Sequence, residues 1–239
     1  MLRADVVIAV SETCARYWRD HYPGPLTEKL HVIERGVDAD EFPYGYTPSK
    51  SFSAGLRQSL GIARDTPLWC LPGRMVRSKG HLDLIPVLQA VTDANVLTPG
   101  EGPDAFSREL RSAAQQAGVL PRLHFLGHRQ DVRDILAVSD IVFSISHKPE
   151  SFGRTTAEAL ALGRPVIGYA HGGVEEILAN VFPDGLVSPR STEQLTDRAV
   201  DFTQRRPSVR RHHRYRLQDM CDATLAVYER LSRRRPPCQ

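Results

Sequence analysis

Residues 140–169 read DIVFSISHKPESFGRTTAEALALGRPVIGY, and this stretch decides the fold. It contains an apolar, β-branched run over Asp140–Ser146, a helical pattern over Thr155–Leu162 and a second apolar run over Pro165–Tyr169. Two strands of this length that are joined by a helix form a βαβ unit, in which the strands lie parallel. Gly153 falls between the first strand and the helix, so it is predicted at the turn that joins them.

The same alternation of strand and helix extends over residues 67–203. The predicted strands are Leu68–Leu71, Ala94–Thr98, Arg122–Leu126, Asp140–Ser146, Pro165–Tyr169 and Gly185–Val187. The predicted helices are Leu82–Val91, Asp104–Ala117, Asp131–Val138, Thr155–Leu162, Val174–Ala179 and Glu193–Phe202. Strands that alternate with helices form a parallel sheet with both faces buried. The predicted fold class is therefore α/β, with a doubly wound, Rossmann-like parallel sheet.

The flanking segments are predicted to belong to other parts of the structure. Upstream lies one more βαβ pattern, with strand Ala4–Val10, helix Glu12–Tyr22 and strand Leu30–Glu34. One such unit is too small to bury its own faces, so residues 1–46 are interpreted as the end of a preceding domain and a connection. Residues 47–66 are predicted as linker and start of the larger domain, because 44–53 are rich in Pro, Gly, Ser and Tyr. Residues 204–239 are predicted as a basic helix, with periodicity over Tyr215–Leu231, and a tail.

The composition is that of a globular protein, since 41% of the 239 residues are hydrophobic and 25% are charged. No apolar run approaches the roughly 20 residues that span a bilayer, and the opening residues do not resemble a signal peptide. A cytoplasmic location is therefore predicted. The four cysteines are too scattered for a metal site or a redox pair, and they are expected to be reduced.

The net charge of +3 conceals a basic C-terminal segment. Residues 205–235 carry ten arginines against three acidic residues, so this segment has a net charge of +7 and the rest of the chain −4. Such a segment could lie against anionic lipid on the cytoplasmic face of a membrane, and the alternative is a solvated helix. No interleaving of aromatic and basic residues indicates nucleic-acid binding.

A cluster of cations follows the first strand of the predicted domain, in the sequence Gly73-Arg-Met-Val-Arg-Ser-Lys-Gly80. Ligands of doubly wound sheets bind outside the carboxyl ends of the strands, where Arg74 and Lys79 fall. The two cations suit the phosphates of a nucleoside diphosphate, and they would stabilise negative charge on a leaving oxygen. The alternative is a pair of ordinary surface cations.

Two further loops are predicted at the same edge of the sheet. Gly100-Glu-Gly-Pro103 follows the second strand, where Gly100 and Gly102 would let the backbone approach a ligand. Glu150 and Glu158 flank a helix start, where free N–H groups favour an anion while carboxylates accept hydrogen bonds from hydroxyls. Sugar and phosphate are both indicated. The alternatives for the glutamates are charges that stabilise the helix dipole, or a glycosidase acid–base pair.

Five motifs in this order over residues 69–189 resemble the donor-binding domain of the GT-B fold glycosyltransferases of family 4, the retaining "group 1" class. They are Gly73-Arg-x4-Lys-Gly80, Gly100-x-Gly-Pro103, Glu150-x7-Glu158 with Phe152-Gly153, Glu158-Ala-Leu-Ala-Leu-Gly-Arg-Pro-Val166, and Gly172-Gly-x-x-Glu176. The chain thus looks like the C-terminal half of a GT-B enzyme with a βαβ remnant of its N-terminal domain.

The resemblance implies specific roles for the residues of these motifs. Arg74 and Lys79 would hold the donor diphosphate, Glu158 the ribose hydroxyls, and Glu150 the transferred hexose, so that Glu150, Arg74 and Lys79 form the catalytic group. The other donor-binding positions would be Gly100, Gly102, Gly127, His128, Arg129, Phe152, Gly153, Arg154 and Thr155. No cofactor or metal is implied, and Asp38-Ala-Asp40 is interpreted as a turn rather than a metal site.

The implied activity is transfer of a hexose from a UDP- or GDP-sugar, with retention, to a polysaccharide, lipopolysaccharide or glycolipid acceptor. Because the acceptor half of the fold is represented only by its last βαβ unit, the reaction is expected to require that domain or a partner chain. The alternatives are a non-catalytic nucleotide-sugar-binding module that acts with a partner, and a GT-B-like epimerase or phosphorylase. A nicotinamide-binding domain is least favoured, because no strand leads into Gly-x-Gly-x-x-Gly.

Overall fold

The computed structural model describes residues 4–234. Its strands are β1 (Val7–Ala9), β2 (Leu30–Val32), β3 (Leu68–Cys70), β4 (Asn95–Pro99), β5 (Leu123–Gly127), β6 (Ile141–Ser144), β7 (Val166–Tyr169) and β8 (Leu186–Val187). Its helices are α1 (Glu12–His21), α2 (Pro25–Glu28), α3 (Lys50–Ser59), α4 (Leu84–Ala90), α5 (Asp104–Gln116), α6 (Val132–Val138), α7 (Arg154–Ala161), α8 (Gly172–Val181), α9 (Thr192–Arg205) and α10 (Leu217–Arg234). Short 3-10 turns span Arg77–Lys79, His81–Asp83, Leu120–Arg122 and Pro183–Gly185.

Six of the strands form one parallel sheet in the order β5-β4-β3-β6-β7-β8. The chain winds outward from β3 in one direction and then from β6 in the other, which is the doubly wound arrangement that the sequence predicts. The strand order reverses between β3 and β6, and ligands of such sheets bind beside that point, outside the carboxyl ends of the strands. The α/β fold class is therefore confirmed.

The core of the sheet consists of strands that are buried on both faces, as expected for a parallel sheet covered by helices. All three residues of β3 are fully buried, and Trp69 meets Phe143 of β6 edge to face, with ring centroids 5.5 Å apart. These two rings join the central strands on either side of the switch point. The loops that follow β3 and β6 therefore extend from closely packed strands.

A second, two-stranded parallel sheet pairs β1 with β2, and α1 connects these strands. The connection after β2 holds the start of α10: Val37 N donates to Tyr215 O at 2.7 Å, and Leu217 N donates to Val37 O at 3.0 Å. The βαβ pattern of the sequence is therefore present. Its assignment to a preceding domain stays a prediction.

A helix lies within residues 47–66, the segment that is predicted as linker and start of the larger domain. Helix α3 already begins at Lys50, because Ser49 caps it: the Ser49 hydroxyl accepts a hydrogen bond from Phe52 N at 3.1 Å. A serine in a polar run can end a loop by capping a helix, and composition alone does not distinguish the two uses. Helix α10 begins at Leu217 rather than Tyr215, since Tyr215 adopts a left-handed conformation with φ of 59°.

Cys14, Cys70 and Cys221 are free thiols, whereas Cys238 and the Pro-rich end of the tail lie outside the described residues. Within residues 4–234, no helix has both the length and the apolar character that crossing a bilayer requires.

Candidate functional site

The two motifs at the switch point meet through their side chains. Lys79, which follows β3, forms an ion pair with Glu150, which follows β6. Each of the two side chains keeps 27% of its surface exposed, and Ser146 Oγ donates to the same carboxylate oxygen of Glu150 at 2.5 Å. A cation and a carboxylate predicted from separate motifs therefore face one partly open position at the carboxyl edge of the sheet.

A close approach of two loops brings this pair together. Gly80 has a φ of 80°, and a Cβ at this position would overlap the carbonyl oxygen of Ile145. Beyond this contact, His147 N donates to Ser78 O at 2.7 Å. Only glycine has both the conformation and the small size that position 80 requires. The loop after β3 is thereby fastened to the loop after β6.

A half-buried carboxylate that the sequence did not reveal connects these loops. Asp83 Oδ2 accepts a hydrogen bond from Tyr169 OH at 2.5 Å and lies 2.7 Å from His147 Nε2. Burial, together with the hydrogen bond to Asp83, raises the pKa of the Tyr169 phenol, so the hydroxyl stays protonated as the donor. Asp83, which follows β3, thus joins the loop after β6 to the last residue of β7. Its place in an ordinary helix start carries no sequence signal for this role.

Arg74 lies on the loop that follows β3. Its side chain is exposed and has no hydrogen bond or ion pair among residues 4–234. The loop itself is well held, because Gly73 N donates to Pro99 O at 3.0 Å and Met75 N donates to Glu101 O at 2.9 Å. Arg74 therefore presents an exposed guanidinium from a fixed backbone, which suits recognition of an external anion.

The glycines after β4 pack loops together. A Cβ at Gly100 would overlap the Gly73 carbonyl, and a Cβ at Gly102 would overlap the Met75 carbonyl. Gly100 N also donates to Gly127 O at 2.7 Å, which joins the ends of β4 and β5. Glycine is therefore required at positions 100 and 102 because neighbouring loops are in close contact there. Sequence reasoning predicted close approach to a ligand instead, and that role stays a prediction.

Beside these glycines lies a cavity of about 620 Å³, which is open to solvent. Residues of α5 line it, and Arg111 stacks its guanidinium 3.8 Å from the centroid of the Phe125 ring. The loop that the resemblance places beside the base borders this cavity through Gly127, and His128 N donates to Glu101 Oε1 at 3.3 Å. The next residue of that loop, Arg129, forms hydrogen bonds with Asp131.

Arg129 is engaged within the protein. Its Nε and Nη2 donate to the two carboxylate oxygens of Asp131 at 2.8 and 2.6 Å. The hydrogen bond from Arg129 lowers the pKa of Asp131 and keeps the carboxylate ionised. Arg129 is thus bidentate to its neighbour, and its predicted contact with a donor would have to compete with this pair.

Glu158 faces a different depression from Glu150. Its side chain is 13% exposed and lies in a cavity of about 270 Å³ that is shared with the connection from Arg35 to Phe42. Arg154 Nε donates to Glu158 Oε1 at 3.3 Å, while 70% of the Arg154 side chain remains exposed. Glu158 therefore lies where the upstream segment and the larger unit meet.

The turn between the two glutamates is shaped by its central residues. Gly153 precedes α7 with a φ of 101°, a conformation that favours glycine. The Phe152 side chain is only 4% exposed, and its ring packs edge to face on Tyr215 at 5.5 Å. Phe152 is thus a core anchor for the turn, and Thr155 follows in the first turn of α7.

The two carboxylates have opposite electrostatic environments. Burial alone would raise the pKa of Glu150, but hydrogen bonds from Lys79 and Ser146 and the charge of Lys79 outweigh it, so the pKa is lowered. Burial raises the pKa of Glu158, and the charge of Glu41 adds to this rise against the opposing effect of Arg154. The ionised form is therefore favoured at Glu150 and disfavoured at Glu158.

This contrast predicts opposite effects of two matched substitutions on stability. The stability that protonated Glu158 contributes below pH 4.5, its ordinary pKa, is lost as pH rises through the higher folded pKa. Glu158→Gln is therefore expected to raise the Tm at pH 7 relative to wild type, with a smaller gain at pH 4. Ionised Glu150 contributes stability above its ordinary pKa. Glu150→Gln is therefore expected to lower the Tm at pH 7 and to change the Tm less at pH 4. Thermal unfolding of both variants at the two pH values measures this, and shifts of equal sign would contradict it.

The carboxylates of the upstream connection form a turn. Asp40 N donates to Asp38 Oδ1 at 2.9 Å, which is the side-chain-to-backbone bond typical of aspartate in turns. This agrees with the interpretation of Asp38-Ala-Asp40 as a turn. In the part of the chain that the structure describes, no cluster of three or more His, Cys, Asp or Glu side chains is arranged to hold a metal ion.

Comparison with known proteins relates this site to one family. Residues 53–216 match the family model described as glycosyl transferases group 1. The chain is 33% identical over 160 residues to D-inositol 3-phosphate glycosyltransferase of Xylanimonas cellulosilytica, an alignment that covers 65% of this chain and 38% of that protein. It is 27% identical over 251 residues to the lipopolysaccharide core biosynthesis mannosyltransferase LpsB of Rhizobium meliloti, which covers 97% of this chain and 67% of that protein.

Solved structures show the same fold. The structure of Anabaena HepE in complex with UDP-glucose superposes with a TM-score of 0.82 at 26% identity, covering 95% of this chain and 64% of that chain. This likeness agrees with the GT-B-type arrangement that the motifs indicate. The chain spans only part of the length of each of these proteins. It covers 38% of the D-inositol 3-phosphate glycosyltransferase, 67% of LpsB and 64% of HepE.

Proposed function

Because the chain belongs to the group 1 family of glycosyl transferases, we propose that it binds the donor in transfer of a hexose from a UDP- or GDP-sugar, with retention, to a glycan or lipid-linked acceptor. The observation that carries this proposal is the Lys79–Glu150 pair at the switch point of the sheet, with the exposed guanidinium of Arg74 on the loop that carries Lys79. Lys79 and Glu150 supply a cation and a carboxylate to one partly open position, and Arg74 adds an exposed cation on the loop that carries Lys79. This combination suits a ligand that joins a diphosphate to a sugar.

Each of these side chains has a part in the proposed reaction. Arg74 and Lys79 bind the diphosphate, so Lys79 exchanges its carboxylate partner for phosphate oxygens. The released carboxylate of Glu150 accepts hydrogen bonds from hydroxyls of the hexose and orients it. When the bond between the anomeric carbon and the phosphate oxygen breaks, its electron pair stays on the diphosphate. The two cations stabilise this developing charge, while the acceptor oxygen bonds to the anomeric carbon and its proton passes to the leaving diphosphate oxygen.

Glu158 would complete the donor site. We propose that its carboxylate binds the ribose hydroxyls, because it lies on α7, the helix that follows the Glu150 loop, and borders an open cavity. Its raised pKa has the burial of the carboxylate as its main cause, and hydrogen bonds from two hydroxyls would stabilise the ionised form. The substitution Glu158→Gln should then weaken nucleotide binding even as it stabilises the free protein.

The relatives support the chemical class of donor and acceptor. HepE binds UDP-glucose, and LpsB is a mannosyltransferase of lipopolysaccharide core synthesis. We propose a nucleoside-diphosphate hexose as donor and a lipopolysaccharide, polysaccharide or glycolipid acceptor for this chain. Since the relatives extend beyond the aligned region, we also propose that acceptor binding requires a further domain or a partner chain. The donor site is proposed to need no metal and no cofactor.

Calorimetric titration of the wild-type chain with UDP-glucose and with GDP-mannose tests the proposal. Saturable binding of one of them, with one site per chain, is the expected result. A correctly folded protein that binds neither nucleotide sugar nor its nucleoside diphosphate would contradict it. Transfer of sugar that appears only when a separate acceptor-domain chain is added would favour a split enzyme. Nucleotide-sugar binding without transfer under any such condition would favour a binding module.

We further propose that the basic C-terminal segment contacts an anionic membrane surface on the cytoplasmic side. Leu225 and Tyr228 are 58% and 63% exposed on α10, and arginines lie exposed before and along this helix, at positions 210, 211, 214, 216, 230 and 233. Exposed apolar and cationic side chains together suit an interface with anionic lipid. Co-sedimentation with phosphatidylglycerol vesicles at low and high salt tests this contact, and no salt-sensitive binding would contradict it.

A further inference from the structure

Glu176, the last residue of the motif Gly172-Gly-x-x-Glu176, binds the start of helix α1. Its Oε2 accepts a hydrogen bond from Glu12 N at 3.0 Å, and its Oε1 accepts from both the backbone N and the hydroxyl of Thr13. The N–H groups at a helix start have no partner within the helix, and a carboxylate there is stabilised by the helix dipole. A residue of the larger unit thus caps a helix of the upstream βαβ unit.

The same helix end holds the loop that carries Glu150. Ser11 Oγ caps α1 by accepting from Cys14 N at 3.1 Å, and it donates to Ser151 O at 2.6 Å. Cys14 Sγ contacts the same carbonyl at 3.3 Å. On the other side, Gly173 N donates to Glu150 O at 2.8 Å. The backbone of residues 150 and 151 is therefore clamped between the starts of α1 and α8.

We propose that Ser11, Thr13 and Glu176, together called the α1 clamp, set the position of Glu150 for the sugar of the bound nucleotide sugar. This inference rests on the proposed function, and within it Glu176 is a positioning residue that does not touch the donor. Glu150 exchanges its partner Lys79 when a diphosphate binds, so its side-chain contacts cannot hold the loop through the reaction. The backbone contacts of the α1 clamp persist through that exchange.

Loss of the α1 clamp should change the affinities for nucleotide sugar and nucleoside diphosphate in a way that a general loss of stability would not. The nucleoside diphosphate is bound mainly by Arg74 and Lys79, which the clamp does not contact. The sugar depends on the placement of Glu150. Loss of the clamp should therefore weaken binding of a nucleotide sugar more than binding of the corresponding nucleoside diphosphate. A residue that only stabilises the fold would change both affinities alike, or change only the Tm.

The test compares Kd values for UDP and UDP-glucose, or for GDP and GDP-mannose if wild type binds that pair. In Glu176→Ala, and in the milder Thr13→Val that removes one hydroxyl, the ratio of nucleotide-sugar affinity to nucleotide affinity should fall, by about fivefold or more for Glu176→Ala. Glu175→Ala is the matched control, because Glu175 is exposed and without a polar partner among residues 4–234. Its ratio should equal that of wild type.

The outcomes separate the inference from the proposed function. An unchanged ratio in folded Glu176→Ala and Thr13→Val, whatever their Tm, would overturn the α1 clamp and leave the donor site intact. Wild-type protein that binds none of the four nucleotides would instead overturn the proposed function, and the inference with it. If Glu176→Ala does not fold, the ratio for Thr13→Val decides, with Ser11→Ala as a further variant of the same clamp.

Discussion

Lys79→Ala is expected to weaken the binding of UDP or GDP by about 100-fold, which corresponds to ~2.7 kcal/mol. Two effects add in this variant. The diphosphate loses a charged donor, and the carboxylate of Glu150, which Lys79 neutralises in the free protein, is left to repel the phosphates. The Tm should also fall, because Glu150 loses the contact that most strongly lowers its pKa. Calorimetry and thermal unfolding measure the two effects.

A nearby lysine provides the control for this substitution. Lys148 lies on the same loop as Glu150, is exposed and has no hydrogen bond or ion pair with any residue of the described range 4–234. Lys148→Ala removes the same charge close to the site and should change affinity by less than about threefold. Combining Lys79→Ala with Glu150→Gln should recover part of the lost affinity, since the repelling charge is gone. Equal effects of Lys79→Ala and Lys148→Ala would show that general charge, and not the pair, attracts the ligand.

The meeting of Lys79 and Glu150 could be predicted from the sequence because a simple rule links them. Each lies in the loop that follows a buried strand, and the carboxyl ends of parallel strands share one edge of the sheet. Apolar runs such as Asp140–Ser146 identify these strands from local composition alone. The order of the strands then makes the loops after β3 and β6 neighbours at the switch point. Local pattern and topology were sufficient for this part of the site.

The remaining contacts were not predicted, because no sequence pattern indicates which polar residues form hydrogen bonds with each other. Asp83 receives hydrogen bonds from one side chain after β6 and one at the end of β7, and Glu176 caps a helix near the start of the chain. Either residue could as well be a solvated helix charge, which is the common role of acids in a first turn. Arg129 shows the opposite difficulty, since a nearby aspartate engages a side chain that the motif assigns to a ligand. Such choices depend on packing geometry.

Gly173→Ala tests how tightly the Glu150 loop is held against α8. A Cβ at position 173 would overlap the backbone of Phe152, which cannot yield as a flexible side chain could. Overpacking against backbone typically costs about 1–3 kcal/mol, so the Tm should fall by roughly 2–12 °C for a chain of this size. The loop must also shift, and since Gly173 N donates to Glu150 O, sugar binding should weaken with it.

Helix α3 offers the matched control for that substitution. Gly55 is also a helical glycine, but a Cβ there would meet nothing within 4 Å. Gly55→Ala should therefore stabilise the protein by about 0.5–1 kcal/mol, because alanine loses less backbone freedom on folding. Thermal unfolding of the two variants should give shifts of opposite sign. If Gly173→Ala were as stable as Gly55→Ala, α8 and the turn at Phe152 would not be in the close contact that the positioning of Glu150 requires.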